Sequence, residues 1–298
     1  MKDPGINTRK IENPGCGTLY VVSTPIGNME DITLRALRVL KGVDLIAAEN
    51  VRHTQRLCGH YGIKSRLTSY NQHNQKFKAH SLIKGLKSGK DLALVTDAGT
   101  PGISDPGAYL TGRAAREGIK ITPIPGPSAV MAALSVSGLP TEGFVFVGFL
   151  PNKPGKRKKA LKELISETRT MVFFEAPHRL NSMLADVIEI LGDRRIVMLR
   201  EMTKVFEEVK RGPVSAILEH LAEEKIRGEF TLVLPGLDEE NKARELSDAA
   251  LNRIEELLNE KEMSVRDMAR LISGEEGLAY RHVYKECIVR KRVRGTPK

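Results

Sequence analysis

Glycine, proline and small polar residues gather in three short runs: STPIGN (residues 23–28), DAGTPGISDPG (97–107) and PGPSA (125–129). Each follows directly on a stretch with strand character. In open α/β sheets a ligand binds outside the carboxyl ends of the strands. Glycine lets backbone approach a ligand closely and proline fixes a loop's shape. Asp97, Ser104 and Ser128 offer polar contacts to such a ligand. One run alone reads as ordinary turn chemistry, whereas three at strand ends predict a binding cleft. Other chemistries lack their residues. No G-x-G-x-x-G follows the first strand, and no P-loop, H-E-x-x-H or G-x-S-x-G is present. His53, His60, His73 and His80 are spread through one region without ligand spacing, so no metal site is expected.

Stepping outward to the elements that hold those runs, the 298 residues suffice for two ordinary domains or one large one. A strand at 18–22 (TLYVV) and an amphipathic helix at 32–40 begin a βαβ pattern. Strands are expected at 43–48, 91–96 and 119–124, and helices at 54–61, 78–87 and 106–117. A parallel sheet with covering helices follows. The rhythm restarts near Gly126: helix 128–136, strand 144–147, helix 158–167, strand 170–174, helix 180–191, and strands 195–199 and 230–234. The fold class is therefore α/β. Its expected parts are a tail (1–17), a first α/β domain (18–125), a second (126–236) and a helical C-terminal module (247–298), with a charged linker at 238–246. Three helical patterns fill that module, with Ser264 as an N-cap. They suit either a helix-turn-helix-like unit or a packing or dimerisation appendage.

Lys and Arg outnumber Asp and Glu by 47 to 37, a formal net charge of +10 that predicts a polyanionic partner. Six basic residues and no acid occupy 153–162 (KPGKRKKALK), directly after the expected strand, so a cationic loop should flank the cleft. Residues 281–298 carry seven Lys or Arg against Glu286 alone, either a phosphate grip or a soluble end. Aromatics make up 5% and tryptophan is absent, so base stacking contributes little and shape, phosphates and the 2′-hydroxyl more. Cys16, Cys58 and Cys287 are odd in number and scattered, which fits reduced thiols and a cytoplasmic location. The first 17 residues lack the apolar core of a signal peptide. The longest apolar stretch, 144–151, falls well short of the roughly 18 residues that cross a bilayer, and no membrane partner is expected.

STPIGNMEDITLRAL, DAGTPGISDPG, PGPSA, GFLP (148–151), FFEAPHR (173–179) and GEFTLVL (228–234), in this order, resemble the tetrapyrrole methylase superfamily. Within it they look like the branch that methylates the ribose 2′-oxygen of a cytidine in the decoding region of 16S rRNA. The resemblance covers roughly residues 17–235. It implies two α/β domains with S-adenosylmethionine folded into the cleft between them, usually in a homodimer, and 16S rRNA or the small ribosomal subunit as partner. Carried over by motif, Pro25, Thr100, Gly102, Ile103, Ser104, Ser128, Ala129, Phe149 and Thr231 are the implied cofactor-binding residues. Asp97 is the implied contact for the cofactor's amino group. Glu49, with Arg52 beside it, aligns with a carboxylate that related methylases place near the acceptor; the alternative is a strand-end carboxylate paired with Arg52. A base would help, because a 2′-hydroxyl is a poor nucleophile until its proton is leaving.

The chain departs from the family pattern at two places: Asn50 stands where relatives carry Asp, and Asn71 and Gln72 where they carry His and Glu. Both changes remove ionisable groups near the expected acceptor side. His73, Asn74, Arg179, Lys153, Lys156, Arg157, Lys158 and Lys159 are the expected RNA contacts. Two other readings stay open: methylation of a tetrapyrrole or a protein side chain on the same scaffold, and a non-catalytic RNA-binding assembly factor.

Overall fold

A computed structural model describes residues 15–222, 226–237, 248–260, 263–276 and 280–294. The expected tail (apart from its last three residues), the linker at 238–246 and the extreme C-terminus lie outside the described residues.

The first sheet consists of β1 (Leu19–Val22), β2 (Leu45–Ala48), β3 (Arg66–Ser69), β4 (Leu92–Val95) and β5 (Ile121–Ile124), in the order β3-β2-β4-β1-β5 with every pairing parallel. Its central strand, LALV, is buried at every residue, as expected of a parallel sheet covered on both faces. Ala93 and Val95 join the core under α1 (Leu34–Gly42) and α2 (Val51–Tyr61), while Leu92 and Leu94 join the opposite core under α3 (Gln75–Lys87) and α4 (Ala108–Arg116). The chain runs outward through β1, β2 and β3 and returns through β4 to β5. Right-handed crossovers therefore place α1 and α2 on one face and α3 and α4 on the other. Adjacent β1 and β4 send their connections to opposite faces, which opens a crevice at their carboxyl ends.

The second sheet takes β6 (Phe144–Phe149), β7 (Thr170–Glu175), β8 (Arg195–Arg200), β9 (Glu208–Pro213) and β10 (Phe230–Leu234) in the order β6-β7-β10-β8-β9. Only β6 and β7 are parallel. One face carries Val172, Val197, Leu199 and Val233 against α5 (Ala129–Ser137). α6 (Pro154–Lys162), α7 (Leu180–Leu191) and α8 (Val214–Ala222) complete this part, with α7 packed against α6 and α8.

The chain forms two compact units. One holds both sheets and their helices; the other combines Glu163–Arg169 with the chain from Pro235 onward. In the latter, α9 (Asp248–Glu260), α10 (Val265–Glu276) and α11 (Tyr280–Arg294) share a core that includes Ile254, Leu257, Met268, Ile272, Val283 and Cys287. Ser264 caps α10, its Oγ accepting from the Asp267 amide at 3.3 Å. Within the basic tail, Arg290 bonds Glu286 at 2.8 Å and Glu255 at 2.6 Å, so it serves the helix pair.

Four expectations need correcting. β3, β9 and α8 were not expected. β9 reads EVKRGP, with too many charges to register as a strand, which suits its place at the sheet edge. The 153–162 run is a helix rather than a loop, and it begins at Pro154 and ends at Lys162 instead of spanning 158–167. Proline is favoured at a helix's first position, where its missing N–H has no partner to lose. Arg157, expected to meet RNA, is 3% exposed and turned into the protein, its Nε 2.6 Å from Asp186. Its Nη atoms reach the carbonyls of Asn152 and Ser182. Lys158 is similarly engaged, bonded to Glu189 at 2.6 Å.

Arg157→Ala should thus cost about 3 to 5 kcal/mol in urea unfolding, because Asp186 is left buried without its cation. Lys156→Ala, on the exposed face of the same helix, should change stability by less than about 0.5 kcal/mol.

Candidate active site

The crevice between β1 and β4 is where the three Gly/Pro runs converge. Thr24 and Gly99 exchange backbone bonds of 2.9 and 3.0 Å, tying the first run to the second. Ser23 Oγ meets Thr100 Oγ1 at 2.9 Å, and Thr24 Oγ1 donates to the Thr96 carbonyl at 3.0 Å. Ser128, in the third run, caps α5. The part built on the second sheet closes over these loops at two close approaches. A Cβ on Gly148, which has φ +71° beside a register shift in β6, would stand 2.8 Å from Ser104 Oγ. A Cβ on Gly27 would stand 2.7 Å from Thr203 Oγ1, whose oxygen accepts from the Asn28 amide at 2.9 Å. Only glycine lets these backbones touch.

The space so enclosed is a cleft of about 460 Å³. Of the residues expected to bind cofactor, Asp97, Thr100, Ile103, Ser104, Ser128, Ala129, Phe149 and Thr231 line it, together with Glu49. Pro25 instead lines a neighbouring recess of about 370 Å³ that shares Ile26, Asp97, Ala98 and Glu229 with the cleft. Gly102 lines neither; a Cβ there would face the Ala108 amide at 3.5 Å, so the residue shapes the loop's turn onto α4. Arg52 is exposed at the start of α2 and makes no ion pair among the described residues, so the expected Glu49–Arg52 pair does not form. His73 and Asn74 sit in the turn before α3, in neither recess. Arg179 is bound to Glu175 at 3.1 Å and to the Leu150 carbonyl at 2.5 Å, holding the end of β7 rather than facing outward.

The electrostatics of the cleft are acidic. Glu49, Asp97 and Asp105 crowd one end, and the Asp97 amide donates to Glu49 Oε2 at 3.3 Å. Burial pushes the Glu49 carboxyl above its ordinary range, with the nearby Asp97 charge adding to the rise. Burial also raises Asp97, against the pull of His53. Asp105 is pushed up to about 6, first by burial and then by the charges of Glu49 and Asp97. Asp97 Oδ1 is buried and has no hydrogen-bond partner in the protein. At the other end, Phe149 and Phe174 stand edge to face, with ring centroids 5.6 Å apart.

Comparison with known proteins gives these features a family. The pattern of the Tetrapyrrole (Corrin/Porphyrin) Methylases matches residues 18–218. The chain belongs to the tetrapyrrole methylase family. It is 42% identical over 270 residues to the Ribosomal RNA small subunit methyltransferase I of Halalkalibacterium halodurans, covering 90% of this chain and 93% of that one. The protein of the same name from Escherichia coli O157:H7 is 43% identical over 90% of this chain and 94% of its own. That from Thermotoga maritima is 50% identical over 74% and 99%. Among solved structures, diphthine synthase superposes with a TM-score of 0.57 at 17% identity, over 74% of this chain and 90% of that one. Uroporphyrin-III-C-methyltransferase from Thermus thermophilus gives 0.52 at 22%, over 73% and 94%. At those identities the likeness is one of fold.

A tetrapyrrole methylase is a methyltransferase that uses S-adenosylmethionine, and the cleft fits that group. Its donor carries positive charge on an ammonium and a sulfonium, and the cleft offers clustered carboxylates with one buried oxygen lacking a donor. Its adenine is flat and apolar on its faces, as are the aromatic rings opposite.

The two departures from the family pattern are structural caps here. Asn50 Oδ1 accepts from the amides of Arg52 and His53 at 3.1 and 3.3 Å and so opens α2, a task Asn performs as well as Asp. Asn71 Oδ1 accepts from the His73 and Asn74 amides, both at 3.1 Å, closing the turn into α3. Sequence reasoning overlooked Asp105, Phe174, Glu229 and Lys204. Asp105 lies in a Ser-Asp-Pro-Gly string that reads as a turn, and Lys204 lies between two strands of which only one was expected.

A raised carboxyl favours the fold while protonated and loses that stabilisation as pH rises through its folded value. Asp105→Asn should therefore raise the melting temperature at pH 7.5 by about 2 to 4 °C and by little below pH 4. Calorimetric affinity for S-adenosylmethionine should tighten as pH rises through about 6 in the unaltered protein and lose that dependence in the variant.

Proposed function

We propose that the chain methylates small-subunit ribosomal RNA, transferring the methyl of S-adenosylmethionine to the 2′-oxygen of a cytidine in 16S rRNA. The observation that carries this reading is a pair of adjoining recesses of opposite character, the acidic cleft and a neighbour bearing His53, Arg56 and Lys204. Relatives that align over nine-tenths of the chain carry the name of a ribosomal RNA methyltransferase, and a polyanionic acceptor agrees with the +10 charge.

Asp97 accepts the donor's ammonium on its unpartnered Oδ1, and the loop residues Thr100, Ile103 and Ser104 hold the methionine portion. Phe149, Thr231, Ser128 and Ala129 enclose the adenosine. The group supplies a methyl on a positively charged sulfur, already activated for displacement. What remains for the protein is alignment and exclusion of water, which can supply most of the acceleration. Glu49 sits in the cleft with a raised carboxyl affinity for protons, which suits it to take the proton of the 2′-hydroxyl. Arg52, exposed one residue into α2, faces the RNA rather than Glu49. On α6 and just before it, Lys153, Lys156 and Lys159 are exposed and touch phosphates, while Arg157 and Lys158 anchor the helix. The protein works in the cytoplasm as a homodimer.

Incubating the protein with labelled S-adenosylmethionine and small ribosomal subunits, then digesting the RNA for mass spectrometry, should yield 2′-O-methylcytidine. Label on a base, or none on RNA, would overturn the assignment. Replacing Lys153, Lys156 and Lys159 by alanine should reduce the salt dependence of RNA binding by about 0.7 to 0.9 in slope for each lysine that meets a phosphate.

A further inference from the structure

The second recess has a composition of its own. Its floor is apolar, from Pro25, Met29 and Leu57, and its rim carries His53, Arg56 and Lys204. Lys204 is committed: it bonds Glu201 and Glu229, both at 2.9 Å, and so braces the loop after β8. Arg56 is exposed and forms no ion pair among the described residues. It lies one turn beyond Arg52 on α2, so the two guanidinium groups share a helix face. Guanidinium offers a planar fork of donors that matches phosphate. His53 is the only aromatic ring lining the recess. At about 370 Å³ the recess has the size of a small-molecule site, too small for a base pair. Ile26, Asp97, Ala98 and Glu229 border both this space and the donor cleft, so a group seated here abuts the donor.

We propose that this recess binds the acceptor nucleotide, unpaired and turned out of its helix, with its flanking phosphates on Arg56 and Arg52 and its base against the His53 ring. The inference rests on the reading of the protein as an RNA methyltransferase and adds where the acceptor sits and which residues recognise it. A stacked, paired nucleotide does not reach the donor; one taken out of the stack does, as in enzymes that act on extruded nucleotides. The opposite charge of the two recesses separates the ligands. The sulfonium donor is drawn to the carboxylates of Glu49, Asp97 and Asp105, and the phosphodiester is kept from them and drawn to α2. Arg56 is thus a recognition residue for the anionic acceptor and contributes nothing to donor binding.

The test uses the full-length protein with small ribosomal subunits, comparing Arg56→Glu, Arg56→Lys and His53→Leu. Arg56→Glu should lower kcat/KM for the RNA by about tenfold or more, the scale of one charge-assisted contact. Its calorimetric affinity for S-adenosylmethionine should stay within about twofold, since Arg56 does not line the donor cleft. Arg56→Lys should recover much of the loss, and His53→Leu should raise KM with the donor affinity unchanged. If the unaltered protein methylates the RNA and all three variants do so with its KM, the placement of the acceptor is wrong while the enzymatic reading stands. If the unaltered protein transfers no methyl to RNA, both fall. Loss of donor affinity in Arg56→Glu would also overturn the placement, since it would put Arg56 in the donor site.

Discussion

The constraint on which the molecule turns is the confinement of Glu49, Asp97 and Asp105 in one half-buried cleft, with no Lys or Arg paired to any of them among the described residues. Such a cluster opposes folding, since each carboxylate loses water and repels the others. It is held by the geometry of the parallel sheet around it. β2 and β4 are neighbours in register, so Glu49 and Asp97, each just past its strand, must emerge side by side. The Thr24–Gly99 bridge and the Ser23–Thr100 contact then fix the loops that carry Asp97 and Asp105. Local energetic discord of this kind, in a chain otherwise consistent from pattern to packing, is what a binding site requires. A cationic ligand relieves it.

The second sheet makes the cleft a closed space. Gly148 and Gly27 bring backbone from one half against side chains of the other, and Ser104 itself adopts φ +65° where it meets β6. The Thr203–Asn28 bond and the Lys204 bridge between Glu201 and Glu229 reinforce the same contact. Glycine here serves contact between the halves as much as contact with ligand. Gly102 illustrates this: its positive φ turns the loop onto α4, out of the cleft that its neighbours Thr100, Ile103 and Ser104 line.

Much of this was legible in the sequence because local rules and tertiary packing agree. The apolar strands β1, β2, β4, β5, β7, β8 and β10 register by composition, and the loops that follow them are marked by glycine and proline. Where packing overrides local signal the reading failed. β3 (RLTS) and β9 (EVKRGP) are edge strands, free to carry charge, and without β9 the helix α8 after it was missed. The site was legible where a residue type announced it, as at Asp97, Ser104 and Ser128. It was hidden where the contact is made by residues distant in sequence, as with Lys204 and Glu229, or by an acid concealed in turn chemistry, as with Asp105.

Charge was the least faithful guide, for a physical reason. A run of lysines and arginines states how many cations there are and not where they point. On a helix of 3.6 residues per turn, one position in the 153–162 run had to face inward, and Arg157 does so, paired with Asp186. The asparagines at positions 50 and 71 teach the converse. Their loss of charge relative to the family pattern suggested impaired chemistry, yet a capping oxygen needs only a lone pair, which an amide supplies as well as a carboxylate. The acid character of the cleft comes from Glu49, Asp97 and Asp105, which these asparagines position without joining. The substitutions therefore preserve the scaffold and leave the field felt by a bound cation to the residues that line its cleft.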